Sequence, residues 1–402
     1  KNQSLSKKFL FSLATVSVLS TCADAKINGG GCNNTTCGTV SSAQNTAITV
    51  SETGNTSLTI TSSGSVKPSG DNNIAINFQN GSSLTNFKNE GTIQGGSNTA
   101  SIEIGKSNGA TITTFENSGI IGDGKSKYSL TVYGSNDNKS TIENFTNSGI
   151  ISSNNGESIF IKNTTINNFT NSGTINSIQD RGINISSGTT ISTFENSGTI
   201  KTTGTSEPIE SSAGFFASYG VNFNQATIEN FTNTTGALIS GKIGINLSAS
   251  SIKTLINKGT IESTSVNELA GAINIHSFEV KGSTINNLTN EGVIKSQAHG
   301  ILIGDGNTIE NLTNQGTIEA GLNGITFHAY NTNKTLINLG QINLESGSII
   351  KAGRDGIHID GSDNGIQGKG IDVKKGATLQ GDNAGIFIGG GKQLDTLIKI
   401  SG

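Results

Sequence analysis

The chain has 402 residues, of which 54 are glycine and only two are proline, and charged side chains make up 14% of it. A net charge of −3 provides no basic surface of the kind that binds nucleic acid. Low charge and few aromatic residues also occur in disordered chains. Here, however, isoleucine recurs at regular intervals, and this regularity indicates an organised apolar core.

The N-terminal 25 residues have the pattern of a signal peptide. A basic region with Lys7 and Lys8 precedes the apolar stretch 9–19 (FLFSLATVSVL), and an A-x-A cleavage site ends at Ala25. The apolar stretch is too short to span a bilayer, which takes roughly 20 residues. We therefore expect cleavage after Ala25 and export from the cytoplasm.

Three cysteines follow the apolar stretch. Cys22 lies in LSTC, which is close to a bacterial lipobox except that Thr21 replaces the usual small residue; Cys22 is thus a candidate lipidation site, with ordinary cleavage as the alternative. Cys32 and Cys37 are expected to form a disulfide, because compartments outside the cytoplasm are oxidising. This bond would close a short loop in an N-terminal cap, residues 26–39. No further Cys or His in the cap completes a metal site.

From residue 40 onward the chain consists of a repeat. Copies of a motif such as INNFTNSGTI (166–175) follow one another, and the shortest intervals between them are 24 or 25 residues. Before each copy stands a small residue followed by alternating apolar residues, as in GINIS (182–186), a pattern that indicates a short strand. The ten copies centre on Asn89, Asn117, Asn147, Asn171, Asn196, Asn233, Asn257, Asn290, Asn314 and Asn338.

A unit of this size cannot bury its apolar side alone, whereas stacked units can. We therefore predict an all-β fold over residues 40–402, a right-handed single-stranded parallel β-helix with about 24 residues and three short strands per coil. The asparagines should exchange amide hydrogen bonds along the axis, and the repeat glycine should occupy a corner with positive φ. One internal stack is expected from Phe87, Phe115, Phe145, Phe169, Phe194 and Phe231, continued by Leu255, Leu288, Leu312 and Leu336.

Residues 119–126 (GIIGDGKS) match the pattern of a phosphate-binding P-loop, which needs a strand before it and a helix after it. Gly119 is the repeat glycine, and residues 127–134 (KYSLTVYG) have the alternation of another strand. We therefore predict a turn between two coils here. No nucleotide or other cofactor is expected.

Insertions interrupt the repeat at 122–127, 135–139, 203–218 and 263–270. Loops that interrupt a rigid repeat usually gather on one side and carry recognition. The longest lies within a candidate binding loop, 203–220, with Pro208, Phe215, Phe216 and Tyr219. Exposed aromatic side chains there would mark a binding patch; the alternative is that Phe215 and Phe216 pack back onto the coil.

The densest group of ionisable residues is Arg354, Asp355, His358, Asp360 and Asp363. Some parallel β-helices cleave polysaccharides with acidic clusters on an outer face, but charged residues on such a face are more often simply solvated. The histidines (His276, His299, His328, His358) lie in different coils, at outward or turn positions and without ligand spacing, so no metal site is expected. We expect no catalytic residues and no enzymatic activity.

Repeats such as IENFTNSGII (142–151) and the start KNQSLSKKFLFSLATVSVLSTC resemble the passengers of type V autotransporters. The similarity is to the Campylobacter adhesion protein A family of autotransporter adhesin lipoproteins, and it covers nearly all of the chain. It implies lipidation at Cys22 and a C-terminal membrane β-barrel. Residues 340–402 lack the alternating ten-residue segments of a barrel but keep the strand alternation. We expect the β-helix to continue through them, as in a passenger truncated before any barrel.

The resemblance implies a virulence-related adhesin at the bacterial outer membrane or cell surface, or secreted, that attaches to a host-cell receptor or to extracellular matrix. Contact with a membrane is expected only through a lipid anchor or a barrel. Two alternatives stay open: a polysaccharide lyase or hydrolase, for which only 354–363 offers acids and bases, and a passenger related to Helicobacter vacuolating toxin, for which an amphipathic segment is missing. The sparse catalytic groups favour the adhesin.

Overall fold

The computed structural model describes residues 27–28, 38–51, 53–211, 214–275, 282–304, 306–328, 337–360, 366–389 and 394–400. This part of the chain contains strands, turns and irregular segments, and no helix. The expected cleavage site Ala25, the candidate lipidation site Cys22 and the expected disulfide between Cys32 and Cys37 lie outside the described residues.

Three long sheets form the walls of a β-solenoid. Sheet 1 contains β1 (Ile27–Asn28), β4 (Ile48–Val50), β7 (Ile76–Phe78), β10 (Ala100–Ile104), β13 (Tyr128–Tyr133), β16 (Ile159–Lys162), β19 (Ile183–Ser186), β24 (Tyr219–Asn224), β27 (Ile243–Ser248), β30 (Gly271–Ile275), β33 (His299–Ile303), β36 (Ile325–His328), β39 (Asp355–Asp360) and β42 (Ala384–Gly389).

Sheet 2 contains β2 (Thr39–Val40), β5 (Asn55–Ile60), β8 (Ser83–Asn89), β11 (Thr111–Asn117), β14 (Ser140–Asn147), β17 (Thr164–Asn171), β20 (Thr190–Asn196), β25 (Thr227–Asn233), β28 (Ser251–Asn257), β31 (Thr284–Asn290), β34 (Thr308–Asn314), β37 (Ile337–Leu344), β40 (Ile366–Val373) and β43 (Leu394–Ile400).

Sheet 3 contains β3 (Ala43–Gln44), β6 (Ser65–Val66), β9 (Thr92–Ile93), β12 (Ile120–Ile121), β15 (Ile150–Ser153), β18 (Thr174–Ser177), β21 (Thr199–Thr202), β26 (Leu238–Gly241), β29 (Thr260–Ser263), β32 (Val293–Ser296), β35 (Thr317–Ala320), β38 (Ile349–Ala352) and β41 (Thr378–Gly381). A separate antiparallel hairpin pairs β22 (Ile209–Ser211) with β23 (Gly214–Phe216).

In each coil the chain passes from sheet 2 to sheet 3 and then to sheet 1, and each strand pairs in parallel with the equivalent strand of the next coil. Among the described strands of the three long sheets, β1 departs from this pattern, because it pairs antiparallel with β4. The prediction of an all-β parallel solenoid is therefore confirmed. Equivalent asparagines of successive coils lie between 24 and 37 residues apart, the longer separations containing the insertions.

The apolar core is a set of ladders along the solenoid axis. The rings of Phe145 and Phe169 stack with centroids 4.5 Å apart, and those of Phe169 and Phe194 at the same distance. The expected stack from Phe87 to Phe231 is confirmed, and Leu255, Leu288 and Leu312 continue it in register. Because the stacked rings are fully buried, adjacent coils share one continuous core.

The asparagine ladder runs beside this stack. Asn147 donates from Nδ2 to Oδ1 of Asn171 at 2.7 Å, and Asn171 donates to Asn196 at 2.7 Å. The same bond joins each neighbouring pair from Asn89 to Asn314. These side chains are at most 1% exposed, so the ladder satisfies amide groups that water cannot reach.

The expected continuation of both ladders into the tenth copy is wrong. In the register of β34 with β37, Ile342 lies opposite Leu312, and Leu344 lies opposite Asn314. Asn338 instead pairs with Thr308, six residues before the ladder position Asn314. The other predicted residue of this copy, Leu336, lies outside the described residues. The ladder thus ends at Asn314, whose Nδ2 donates to the carbonyl oxygen of Ile349 at 3.3 Å.

The expected positive φ of the repeat glycine is also wrong. Gly119, Gly149, Gly173 and Gly198 are absent from the glycines with left-handed backbone. The physical reason for glycine is close approach between coils, since a Cβ at Gly173 would lie 2.1 Å from the carbonyl oxygen of Gly149. The corner between sheets 2 and 3 therefore stacks backbone directly on backbone.

The segment with the P-loop pattern contains the strand β12 and the start of the turn that leads to β13, and no helix follows it, as predicted. Gly119 lies at the corner before β12, and residues 122–127 lead directly into β13. The hydroxyl of Ser126 is buried and lies 2.6 Å from that of Ser101, and it donates to the carbonyl oxygen of Gly95 at 3.0 Å. These contacts tie the turn to the preceding coil.

Candidate functional site

The insertions are unevenly distributed over the corners of the solenoid. Between sheets 2 and 3 most corners have only two residues, such as 172–173. Three of the four predicted insertions instead lie between sheet 3 and sheet 1: 122–127, 203–218 and a segment observed as 264–270. The fourth, 135–139, lies at the opposite edge of sheet 1, before β14. Sheet 1 is therefore the wall that the inserted residues border.

Residues 203–218 and 264–270, here called the insertion cluster, contact each other across two coils. Lys242 forms an ion pair with Glu207 at 2.5 Å, and the hydroxyl of Ser265 hydrogen-bonds the same carboxylate. Asn267 donates from Nδ2 to the carbonyl oxygen of Pro208 at 3.1 Å. The hydrogen bonds from Lys242 and Ser265 lower the pKa of Glu207 against the opposing effect of its burial. These contacts fix two separate insertions as one unit.

A second, smaller apolar core lies under the insertion cluster. It consists of Ala217, Tyr219, Ile243, Ala270 and Ala298, with Leu322 packed against it. The guanidinium of Arg181 lies 5.3 Å from the centre of the Tyr219 ring. Burial raises the pKa of the Tyr219 hydroxyl. This core anchors the insertion cluster to the solenoid.

The candidate binding loop is thus partly an internal structure. Tyr219 is 1% exposed and Pro208 is buried, so neither side chain offers an aromatic or apolar binding surface to solvent. The physical reason is the second core, which takes up the Tyr219 ring. Phe215 and Phe216 belong to β23, but their side chains lie outside the described part.

The exposed apolar side chains of the insertion cluster lie elsewhere. Ile209 is 57% exposed and Val266 is 71% exposed. They are direct chain neighbours of Pro208 and Asn267, which hydrogen-bond each other. Sequence reasoning missed both, because nothing in a single non-repeating segment distinguishes an exposed isoleucine or valine from a buried one.

A second asparagine ladder lies on the outer face of four consecutive strands of sheet 1, β19, β24, β27 and β30. It begins at Glu157, whose carboxylate accepts hydrogen bonds from Arg181 at 2.8 Å and from Asn184 at 3.0 Å. It continues through Asn222, Asn246 and Asn274, each donating to the preceding side chain. These amides are at most 7% exposed. The outer face of sheet 1 is therefore a rigid, recessed platform between the insertions.

Only some of the ionisable residues around position 355 lie together as the sequence indicates. Asp355 is 1% exposed and accepts hydrogen bonds from Nδ1 of His358 at 2.8 Å and from Asn383 at 2.9 Å. Asp360 instead lies opposite His328 at the other end of β39, and Asp363 lies outside the described residues. A buried carboxylate that orients an imidazole can position its other nitrogen for proton transfer.

His299 occupies the edge of the second core. It is 3% exposed, and its Nδ1 lies 3.0 Å from the hydroxyl of Thr326. Burial is the main cause that lowers the pKa of His299 to about 4, and the charge of Arg354 adds to it. The sequence placed His299 at an outward or turn position, whereas it is a buried residue at the start of β33.

Comparison with protein families, curated proteins and solved structures found no match for the chain. Among the described residues, no group of three or more His, Cys, Asp or Glu side chains has a metal-binding arrangement. The described part also holds no helical segment able to span a membrane.

Proposed function

We propose that the chain is the surface-exposed passenger of an autotransporter-like protein and acts as an adhesin for host cells or extracellular matrix. The observation that carries the proposal is the insertion cluster, which holds Ile209 and Val266 exposed on a rigid wall. Exposed apolar side chains on a fixed support are typical of protein-binding surfaces. The signal-like N-terminus and the repeat resemblance support export to the cell surface.

Finer features of the solenoid belong to the same proposal. We infer a right-handed coil, since connections between parallel strands of one sheet are right-handed in about 98% of cases. A coil without insertions has about 24 residues, which accounts for the shortest separations in the asparagine ladder. Insertions lengthen the other coils. Such a coil makes a stalk that carries the insertion cluster away from its point of attachment.

The test compares binding of the labelled protein to cultured epithelial cells and to matrix-coated wells. Ile209→Asp and Val266→Asp should each weaken binding about tenfold or more, because a charge replaces an apolar contact at the centre of the surface. Ile150→Asp is the matched control, since Ile150 is also exposed, at 44%, but lies on sheet 3.

Circular dichroism checks that each variant keeps the β fold. The proposal requires binding by the wild type and a loss confined to the insertion cluster. Binding by all three variants at the wild-type level would exclude the insertion cluster as the contact surface. Absence of wild-type binding to both cells and matrix would exclude adhesion itself.

A further inference from the structure

One outward column of sheet 3 alternates in charge from coil to coil. Glu262 pairs in register with Lys295, Lys295 with Glu319, and Glu319 with Lys351, on the consecutive strands β29, β32, β35 and β38. Lys295, Glu319 and Lys351 are exposed, and Glu262 is half-buried. The neighbouring outward column has the β-branched residues Thr260, Val293, Thr317 and Ile349.

The four charged side chains of this column do not form ion pairs with one another. None of the salt bridges between described residues joins any two of the four side chains. Glu262 accepts one hydrogen bond, from the hydroxyl of Ser240 at 3.3 Å. The charged ends of Lys295, Glu319 and Lys351 are therefore exposed and form no ion pair with one another.

When a second copy of this column runs in the opposite direction, each charge lies opposite a charge of the other sign. Consider a second copy facing sheet 3 with its solenoid axis antiparallel, related by a two-fold axis that runs along the strands midway between β32 and β35. Lys295 then faces Glu319 of the partner, Glu262 faces Lys351, and each pair occurs twice. With the two copies parallel and in the same register, like charges face one another instead.

We propose that sheet 3 mediates homotypic, antiparallel association of two copies of this chain through Glu262, Lys295, Glu319 and Lys351. The partner is a second copy because charge complementarity matches this column to itself. The short strands and the spacing of about 4.8 Å between coils give a core patch of roughly 250 Å² per copy, well below the 800 Å² of stable complexes. The association is therefore weak in solution and gains strength where two surfaces that each carry many copies face one another.

Sedimentation velocity of the full chain, from about 10 μM to about 1 mM, tests the proposal in low and high salt. Wild type should show concentration-dependent dimers that salt weakens. Lys295→Glu should weaken dimerisation about tenfold or more, because both central contacts become Glu against Glu. The double variant Lys295→Glu/Glu319→Lys restores both central contacts and should dimerise like the wild type.

The single and double variants should change the stability of an individual chain to a similar extent. Each creates two like-charge neighbours along the column, so each should lower the thermal midpoint by a similar amount. Recovery of dimers by the double variant alone therefore separates contact between copies from stabilisation within a copy. A double variant as monomeric as the single one, or a wild type that stays monomeric throughout, would overturn the proposal. Neither outcome depends on whether the insertion cluster binds host cells.

Discussion

Asn171 connects three successive coils with one side chain. Its Oδ1 accepts from Asn147 and its Nδ2 donates to Asn196, while the same Nδ2 reaches the carbonyl oxygen of Gly173 at 3.3 Å. Because the amide is fully buried, both of its polar ends must be satisfied within the protein. The ladder therefore specifies the register between coils, which a purely apolar core would leave free to slip.

Asn171→Leu should destabilise the protein by about 3 kcal/mol, since it leaves a buried donor on Asn147 and a buried acceptor on Asn196. Asn314→Leu is the matched control at the end of the ladder. Leu344 already lies opposite it, so Asn290 is the only ladder asparagine that loses a partner, and about half the effect on the ladder is expected. The backbone bonds that are lost are equivalent in the two variants, to Gly173 and Thr199 from Asn171 and to Gly316 and Ile349 from Asn314. Urea denaturation followed by circular dichroism measures both; equal losses would show that the ladder acts only locally.

At the scale of the element, the short corner between sheets 2 and 3 is governed by close approach of backbone. Gly149, Gly173 and Gly198 lie one above another, and a Cβ on any of them would meet the carbonyl oxygen of the preceding glycine at 2.1 Å. Such an overlap forces the coils apart at one edge of the stack. This corner therefore excludes side chains as well as insertions.

Gly173→Ala should lower stability by about 2 kcal/mol, the usual effect of overpacking a rigid site. Gly385→Ala serves as its control, because the nearest atom to a Cβ there lies 3.4 Å away, an ordinary contact. That change should stay within about 0.5 kcal/mol. The thermal midpoints of the two variants test this difference in stability. A Gly173→Ala variant as stable as the wild type would contradict the steric explanation.

The repeat made the ladders predictable, because each position recurs in many copies. The error at Asn338 arose because Asn338 and Leu344 lie six positions apart. An even spacing puts both on the same face of a strand, so alternation alone does not distinguish them. The contact of Asn267 with Pro208 joins residues that occur once and lie 59 positions apart. No periodicity encodes such a pair. The outer ladder of Asn184 and Asn222 was visible in the strand motifs, but only the observed burial identifies it.

At the scale of the whole molecule, each wall of the solenoid has a different surface. Sheet 1 carries the insertions and a recessed polar platform, whereas sheet 3 presents short strands with alternating charge. His299 joins the insertion cluster to the solenoid, since its ring hydrogen-bonds the backbone of Glu268 and contacts Thr326 of the next coil. A proton on this ring would place a buried charge where the two parts meet.

This arrangement predicts that acid destabilises the protein. The folded-state pKa of His299 is about 4, against 6.5 for a free histidine, so the unfolded chain binds more protons between these values. Stability should be greatest above pH 6.5 and fall by about 3 kcal/mol as the pH approaches 4. His299→Gln does not titrate, and its thermal midpoint should depend less on pH over this window than that of the wild type. Parallel curves for the two proteins would show that His299 does not control the acid response.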